Sequence, residues 1–274
     1  MKIKSITTIH FMPEVLMSYK LALSIWNYEA YTEPKTLEEV IAETAAAGLG
    51  LEFWPDWKDQ KDLYQPENRS RLIELAKNIP SSLHGGKVNT LEEHINQIEA
   101  ARDTSSRVIV VHNDHLRLGT NEFDPSLVKE IAQIAKSCGV SIALENADRD
   151  GAFETLCEGL SAAPELSVCL DIGHLHCAGD RPFRDYISTF GDRIVHLHLQ
   201  DVYMTPGTLK AISDSHRPPG DCQIPRDEWL CLLEWMETSN FDGFAVLEIR
   251  PFTPIEIAQR TSAFLQSLAK PTEL

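Results

Sequence analysis

Eight short runs rich in Val, Ile and Leu recur along the chain: KLALSIW (20–26), LGLEFW (49–54), SSLHGG (81–86), RVIVVHN (107–113), VSIALEN (140–146), LSVCLDIG (166–173), RIVHLHLQD (193–201) and GFAVLEIRP (243–251). Near-continuous apolar runs are expected of parallel strands that helices cover on both faces. Successive runs begin 26 to 50 residues apart, enough for a strand, a helix and two loops. The intervening stretches carry helix signals. TLEEVIAETAAAG (36–48) opens on Thr36 as N-cap with acids in its first turn and closes on Gly48; DPSLVKEIAQIAKSCG (124–139) opens on Asp124, has Pro125 at its first helical position and stops at Gly139. The pattern predicts an α/β protein, one (β/α)8 barrel domain over 1–274, with a doubly wound open sheet as the alternative. Residues 202–225 leave room for a long loop, and loops of that length in compact domains usually carry function. Residues 1–19 precede the first clear strand and are expected to form an extra strand or a cover for the barrel's lower end.

In such barrels the chemistry collects at the C-terminal ends of the strands. In order, those ends read Asn27, Glu52, His84, His112, Glu145, Asp171 with His174, His198 and Glu248. The stretch VCLDIGHLH (168–176) shows the difficulty this creates: a buried strand ends in an acid, and a buried carboxylate is costly unless something pairs with it. Carboxylates and imidazoles crowded around one axis repel and shift one another's pKa values unless a divalent cation sits among them. The long loop adds Asp214 and His216, two apart, which an extended backbone would turn to one face. His176 and His196 are expected to support the core or orient a ligand.

Composition narrows the partners. At 274 residues and 43% hydrophobic, the chain can fill a large core. No run of eighteen apolar residues suggests a membrane span, and the start MKIKSITTIHFMPEV lacks the apolar segment and cleavage site of a secretory signal, so a cytoplasmic location is expected. The six cysteines form no CxxC pair and are expected to be reduced and packed. A net charge of −16 disfavours nucleic acid as a partner, because phosphate binding depends on clustered cations. No motif specifies an oligomeric state.

The stretches LEN at Glu145, CLDIGHLH at Asp171 and His174, HLHLQD at His198, DSHRPPGD at Asp214 and His216, and LEI at Glu248 resemble the xylose-isomerase-like TIM barrels. That superfamily holds the endonuclease IV enzymes and many proteins described as sugar phosphate isomerases or epimerases, and the resemblance runs from about residue 20 to residue 268. Its epimerase branch implies one divalent ion on Glu145, Asp171, His198 and Glu248. Its endonuclease IV branch implies three zinc ions on nine residues, and all nine types stand here as His84, His112, Glu145, Asp171, His174, His198, Asp214, His216 and Glu248.

Two chemistries fit this set. The first is isomerisation or epimerisation of a sugar or sugar phosphate through a metal-stabilised enediolate, with Glu145 and Glu248 moving the proton and His174 assisting. The second is hydrolysis of a phosphoester at a two- or three-metal site. The endonuclease branch inserts basic and bulky residues into DNA from the loops after the second and third strands; here those loops read PDWKDQKDLYQPE and GGKVNTLEE, a departure from that branch that places the isomerase first. A non-catalytic metal-containing binding protein is the third class. Mixed His and carboxylate donors suit Zn or Mn, one to three ions per chain. Trp26, Glu52, Trp54 and Arg250 are candidate substrate contacts, and Trp26, Glu52 and Trp54 are equally compatible with packing beneath the first loops.

Overall fold

The computed structural model describes residues 19–30, 35–57, 62–120, 122–250 and 254–269. Eight strands appear where the apolar runs predict them: β1 (Lys20–Ser24), β2 (Gly50–Phe53), β3 (Ser81–His84), β4 (Val108–His112), β5 (Ser141–Glu145), β6 (Ser167–Asp171), β7 (Ile194–Leu199) and β8 (Phe244–Leu247). Each pairs in parallel with the next in sequence, and β8 returns to β1, so the sheet is a closed barrel and not the open alternative. The expected cover within the first nineteen residues falls, up to residue 18, outside the described residues.

The helices lie between the strands: α1 (Leu37–Ala46), α2 (Arg69–Ala76), α3 (Leu91–Asp103), α4 (Pro125–Ser137), α5 (Ala152–Ala162), α6 (Ile172–Ala178), α7 (Phe183–Phe190), α8 (Arg226–Thr238) and α9 (Pro254–Ala269). Thr36 caps α1 and Glu39 closes the reciprocal bond to the Thr36 N–H; Asp124 accepts from the Ser126 and Leu127 N–H groups at the start of α4. Both helices stop before a glycine in the left-handed region, Gly48 at φ +73° and Gly139 at φ +71°. No described helix is long and apolar enough to cross a membrane.

Two apolar layers result. The large one, with Leu51, Phe53, Ile109, Val111, Leu144 and Leu170, lies between the strands and the helices. The small one, Val110, Ala143 and Cys169, fills the barrel's interior. Side chains along a strand alternate between faces, so the inward series continues upward from those three to His112, Glu145 and Asp171. The parallel register sets His112 beside Glu145 and Asp171 beside His198. An apolar plug and a polar upper layer thus come from one parity.

Candidate metal centre

Glu145 is the hub. Its Oε1 lies 3.0 Å from His198 Nδ1 and 3.2 Å from His174 Nδ1, and its Oε2 lies 2.8 Å from His112 Nε2 and 3.3 Å from His84 Nε2. His198 Nδ1 also faces Glu248 Oε2 at 3.6 Å and Asp171 Oδ2 at 3.8 Å. On the loop, His216 Nε2 lies 2.7 Å and His174 Nε2 3.5 Å from Asp214 Oδ2. All nine residues of the expected set therefore converge at the upper end of the barrel.

The donor set fits divalent ions. His84 Nδ1 is 2.9 Å from the Gly85 carbonyl and His216 Nδ1 is 3.0 Å from the Glu248 carbonyl, so each Nδ1 carries the hydrogen. A neutral ring then turns its Nε2 lone pair toward a carboxylate, at Glu145 and at Asp214, which repels unless a proton or cation lies between. Glu248 Oε1 is buried without a hydrogen-bond partner, a further open valence. The groupings of described residues that hold donor atoms within 4.8 Å of one another include His84, His112 and Glu145; His84, His198 and Glu248; and His174, Asp214 and His216.

Electrostatics push the two glutamates apart. Burial works against ionising Glu145, but His198 and His112 outweigh it and hold the carboxyl well below its ordinary value. Burial raises Glu248, and the charges of Glu145 and Glu52 raise it further against the opposing pull of His198. Asp171 is raised by burial and by Glu145 despite His174. Desolvation opposes the charged form of His174, but Asp171 and Asp214 carry it well above its ordinary value.

Several supports were not legible as site residues. Gln200 Nε2 donates to both Asp171 oxygens at 3.2 Å, while its Oε1 accepts the His216 N–H at 3.1 Å. It continues the inward parity of His196 and His198, the one signal that marks it. Asn146 Oδ1 accepts the Asp171 N–H at 2.8 Å and its Nδ2 donates to the Asp171 carbonyl at 2.9 Å. Asp201 anchors the long loop through four backbone N–H groups; burial pushes its carboxyl up and those donors oppose the rise.

Three expectations change in detail. Asp214 and His216 do share a face, but not through extended backbone: His216 sits in the left-handed region at φ +43°, held by Gln200, the Glu248 carbonyl and the Arg250 N–H. Glu52, expected to touch substrate, is completely buried under the site, because it stands one inward position below Trp54. Arg250 likewise stands outside the cavity lining, with its guanidinium carbon 3.2 Å from the centre of the Trp26 ring and its Nη2 donating to the Trp26 carbonyl. His176 is buried with Nδ1 3.1 Å from the Leu209 carbonyl, a support for the loop.

Above the hub lies a cavity of about 280 Å³ whose walls include Trp26, Trp54, Asp114, Arg149 and Thr155. Trp54 stacks on His84 at 3.9 Å and 7° and donates to Ser24 Oγ, so its ring is a fixed wall. Trp26 lies 4.5 Å from the His216 ring.

A family model described as xylose isomerase-like TIM barrel matches residues 39–268. A D-tagatose 3-epimerase-like protein shares the fold at TM-score 0.65 and 21% identity, over 91% of this chain and 96% of its own. Endonuclease IV from Thermus thermophilus aligns at TM-score 0.61 and 19% identity, over 91% of this chain and 98% of its own. The TTHB071 protein of the same organism, in a structure soaked with ZnCl2, aligns at TM-score 0.61 and 21% identity, over 92% and 98%. No curated protein matches the sequence.

Proposed function

We propose that this chain, which belongs to the xylose isomerase-like TIM barrel family, is a divalent-metal-dependent isomerase or epimerase of a small sugar or sugar phosphate. The supporting observation is the pair Glu145 and Glu248, which flank His198 at 3.0 and 3.6 Å with their pKa values driven in opposite directions beneath a small cavity. Two carboxyls held apart in this way can divide the work of removing and returning one proton.

Glu145, Asp171, His198 and Glu248 would hold the ion, with Zn or Mn suited to the donors. When bound, it supplies Lewis-acid polarisation of adjacent hydroxyl and carbonyl oxygens. The chain's own residues do the rest. Glu145, the more acidic group, takes the proton from the carbon between those oxygens; Glu248, the less acidic, delivers it. His174, 3.2 Å from Glu145 through Nδ1, favours the ionised form of Glu145 that accepts the proton. The faces of Trp26 and Trp54 seat the C–H surface of the sugar and exclude water. Among the described residues Arg149 is the arginine in the cavity wall, placed to meet an anionic end of the substrate. The six free cysteines fit a reducing, cytoplasmic setting.

A second reading, phosphoester hydrolysis at a multi-metal site, draws on the two groupings a one-metal isomerase does not need, His84 with His112 and His174 with Asp214 and His216. The cavity of about 280 Å³ and the charge of −16 favour a small substrate over DNA under either reading.

One experiment separates them. Metal-loaded protein is incubated with ketoses and ketose phosphates in D2O and followed by NMR. Deuterium entering at one carbon, lost in Glu145→Gln and retained in His216→Ala, is the expected result. No exchange with any ketose, together with turnover of bis(p-nitrophenyl) phosphate that His84→Ala and His216→Ala abolish, would overturn the isomerase in favour of the hydrolase.

A further inference from the structure

Under the floor of the site stands a charged side chain that neither chemistry uses. Glu52 has no exposed surface and does not line the cavity. Three potential donors converge on its Oε2: His196 Nε2 at 2.9 Å, Ser82 Oγ at 3.3 Å and His198 Nε2 at 3.5 Å, while Oε1 lies 3.3 Å from the same His198 nitrogen without forming a hydrogen bond. His198 is thus held between two layers. Its Nε2 faces down to Glu52, and its Nδ1 faces up to Glu145, Glu248 and Asp171 at 3.0, 3.6 and 3.8 Å.

A neutral imidazole has one N–H and one lone pair, and only the lone pair can bind a metal. An ionised carboxylate can accept and cannot donate. Glu52 therefore selects the form of His198 with hydrogen on Nε2 and the lone pair on Nδ1. Nothing above the ring imposes that choice: in the absence of a cation, Glu145 and Glu248 would equally take a hydrogen from Nδ1. The barrel wall gives the ring little alternative orientation, since His198 is fully buried, stacked 5.7 Å from His84 and set edge-on to His196 at 5.4 Å.

We propose that Glu52 is a positioning residue that acts through His198, fixing its tautomer so that Nδ1 presents a lone pair to the ion, with His196 as the second donor that keeps the carboxylate in place. This rests on the metal-centre reading above. Partners beneath metal-binding histidines carry effects of about 10- to 100-fold on affinity.

The test uses the intact chain, Zn2+ as probe and two readouts. In Glu52→Gln the carbonyl oxygen can take the place of Oε2, but an N–H2 then stands where Oε1 faces His198 Nε2 at 3.3 Å, and the negative charge that holds hydrogen on that nitrogen is gone. Zn2+ affinity, measured by competition with a chelator at pH 7.5, should fall about 10- to 100-fold, with Glu52→Asp recovering part of the loss and with far-UV circular dichroism unchanged. In the Zn2+-loaded wild type, 15N-labelled histidine should show His198 with a solvent-protected Nε2–H and metal on Nδ1; the variant should lose that signal.

Wild-type protein that binds no Zn2+ would sink the metal-centre reading itself. Wild type that binds Zn2+ with an affinity and His198 signature matched by Glu52→Gln would overturn the role of Glu52 alone. Were the Gln variant to lose its fold, the wild-type spectrum still decides: metal on Nε2 and hydrogen on Nδ1 would refute the assignment without any variant.

Discussion

Replacing Asp201 by Asn probes the loop that carries Asp214 and His216 without touching either side chain. Asp201 stands just past β7 at 1% exposure. Its Oδ1 accepts the N–H groups of Val202 at 2.8 Å and Ile224 at 3.0 Å, and its Oδ2 accepts those of Gly220 at 3.1 Å and Cys222 at 2.9 Å. One carboxylate thereby ties the first residue of the long segment to its far end, while its own backbone pairs with that of Arg217 at 2.7 and 2.9 Å. Asparagine keeps one acceptor and presents an N–H2 to the pair of N–H groups that the other oxygen served. Two bonds to a charged acceptor, each worth about 1.5–3 kcal/mol, are lost. The Gly220 and Cys222 N–H groups are only partly buried and can turn to water, which limits the net cost to about 2–4 kcal/mol.

Urea unfolding of the metal-free protein at pH 7.5 measures that cost, and elemental analysis of protein purified without chelator measures the consequence. On the proposed metal-centre reading, an ion held by the loop grouping should be lost while one held at the strand tops is kept, so wild type and Asp201→Asn should differ by about one ion per chain. A destabilisation under about 0.5 kcal/mol, the size of an ordinary surface change, would refute the reading of Asp201 as the anchor.

Gly173 has no room for a side chain, since a Cβ there would overlap Gln200, the residue that donates to both Asp171 oxygens. Gly173→Ala should cost about 1–3 kcal/mol, and much of that should disappear in the Gly173→Ala, Gln200→Ala double variant; thermal unfolding that shows the two costs simply adding would exclude the overlap as the cause. His94, 1% exposed, has its pKa lowered by burial against the opposing pull of the His115 carbonyl and Glu93. A folded-state value below the unfolded one means the unfolded chain binds the proton more readily, so the stability His94 contributes is present above about pH 6.5 and is lost as pH falls through the folded value. Urea midpoints of the metal-free protein should drop from pH 7.5 to pH 5.5 less steeply in His94→Gln than in wild type, by at most about 1.4 kcal/mol per pH unit; equal slopes would remove His94 from the account.

The barrel was legible because burial on both strand faces leaves a long apolar run, and because the caps at Thr36 and Asp124 and the stops at Gly48 and Gly139 are local chemistry that distant contacts do not rewrite. The convergence of polar side chains at the strand tops was legible for a related reason. Inward-facing residues at the strand tops have few compatible identities, so His112, Glu145 and Asp171 stand out against the Val110, Ala143 and Cys169 below them on the same parity, and His84 and His198 top the polar pairs with Ser82 and His196.

Depth is what parity cannot encode. Glu52 and Trp54 share one face of one strand, yet the first is a buried partner of His198 and the second a wall of the cavity, because two residues of rise along a tilted strand separate floor from pocket. Arg250 next to the strand end at Glu248 fails for a lateral reason: the Trp26 face and carbonyl capture it before it reaches the cavity. Gln200, Asn146 and Asp201 belong to a third kind. Their roles consist of hydrogen bonds to groups far along the chain, which no local pattern announces. Such residues bear on whether the nine candidate donors make a usable centre, since Gln200 joins Asp171 at its strand end to His216 on the loop through 3.2 and 3.1 Å bonds. A chain with the same nine residues but without that bridge would keep the donor groups and lose the coupling between Asp171 and His216.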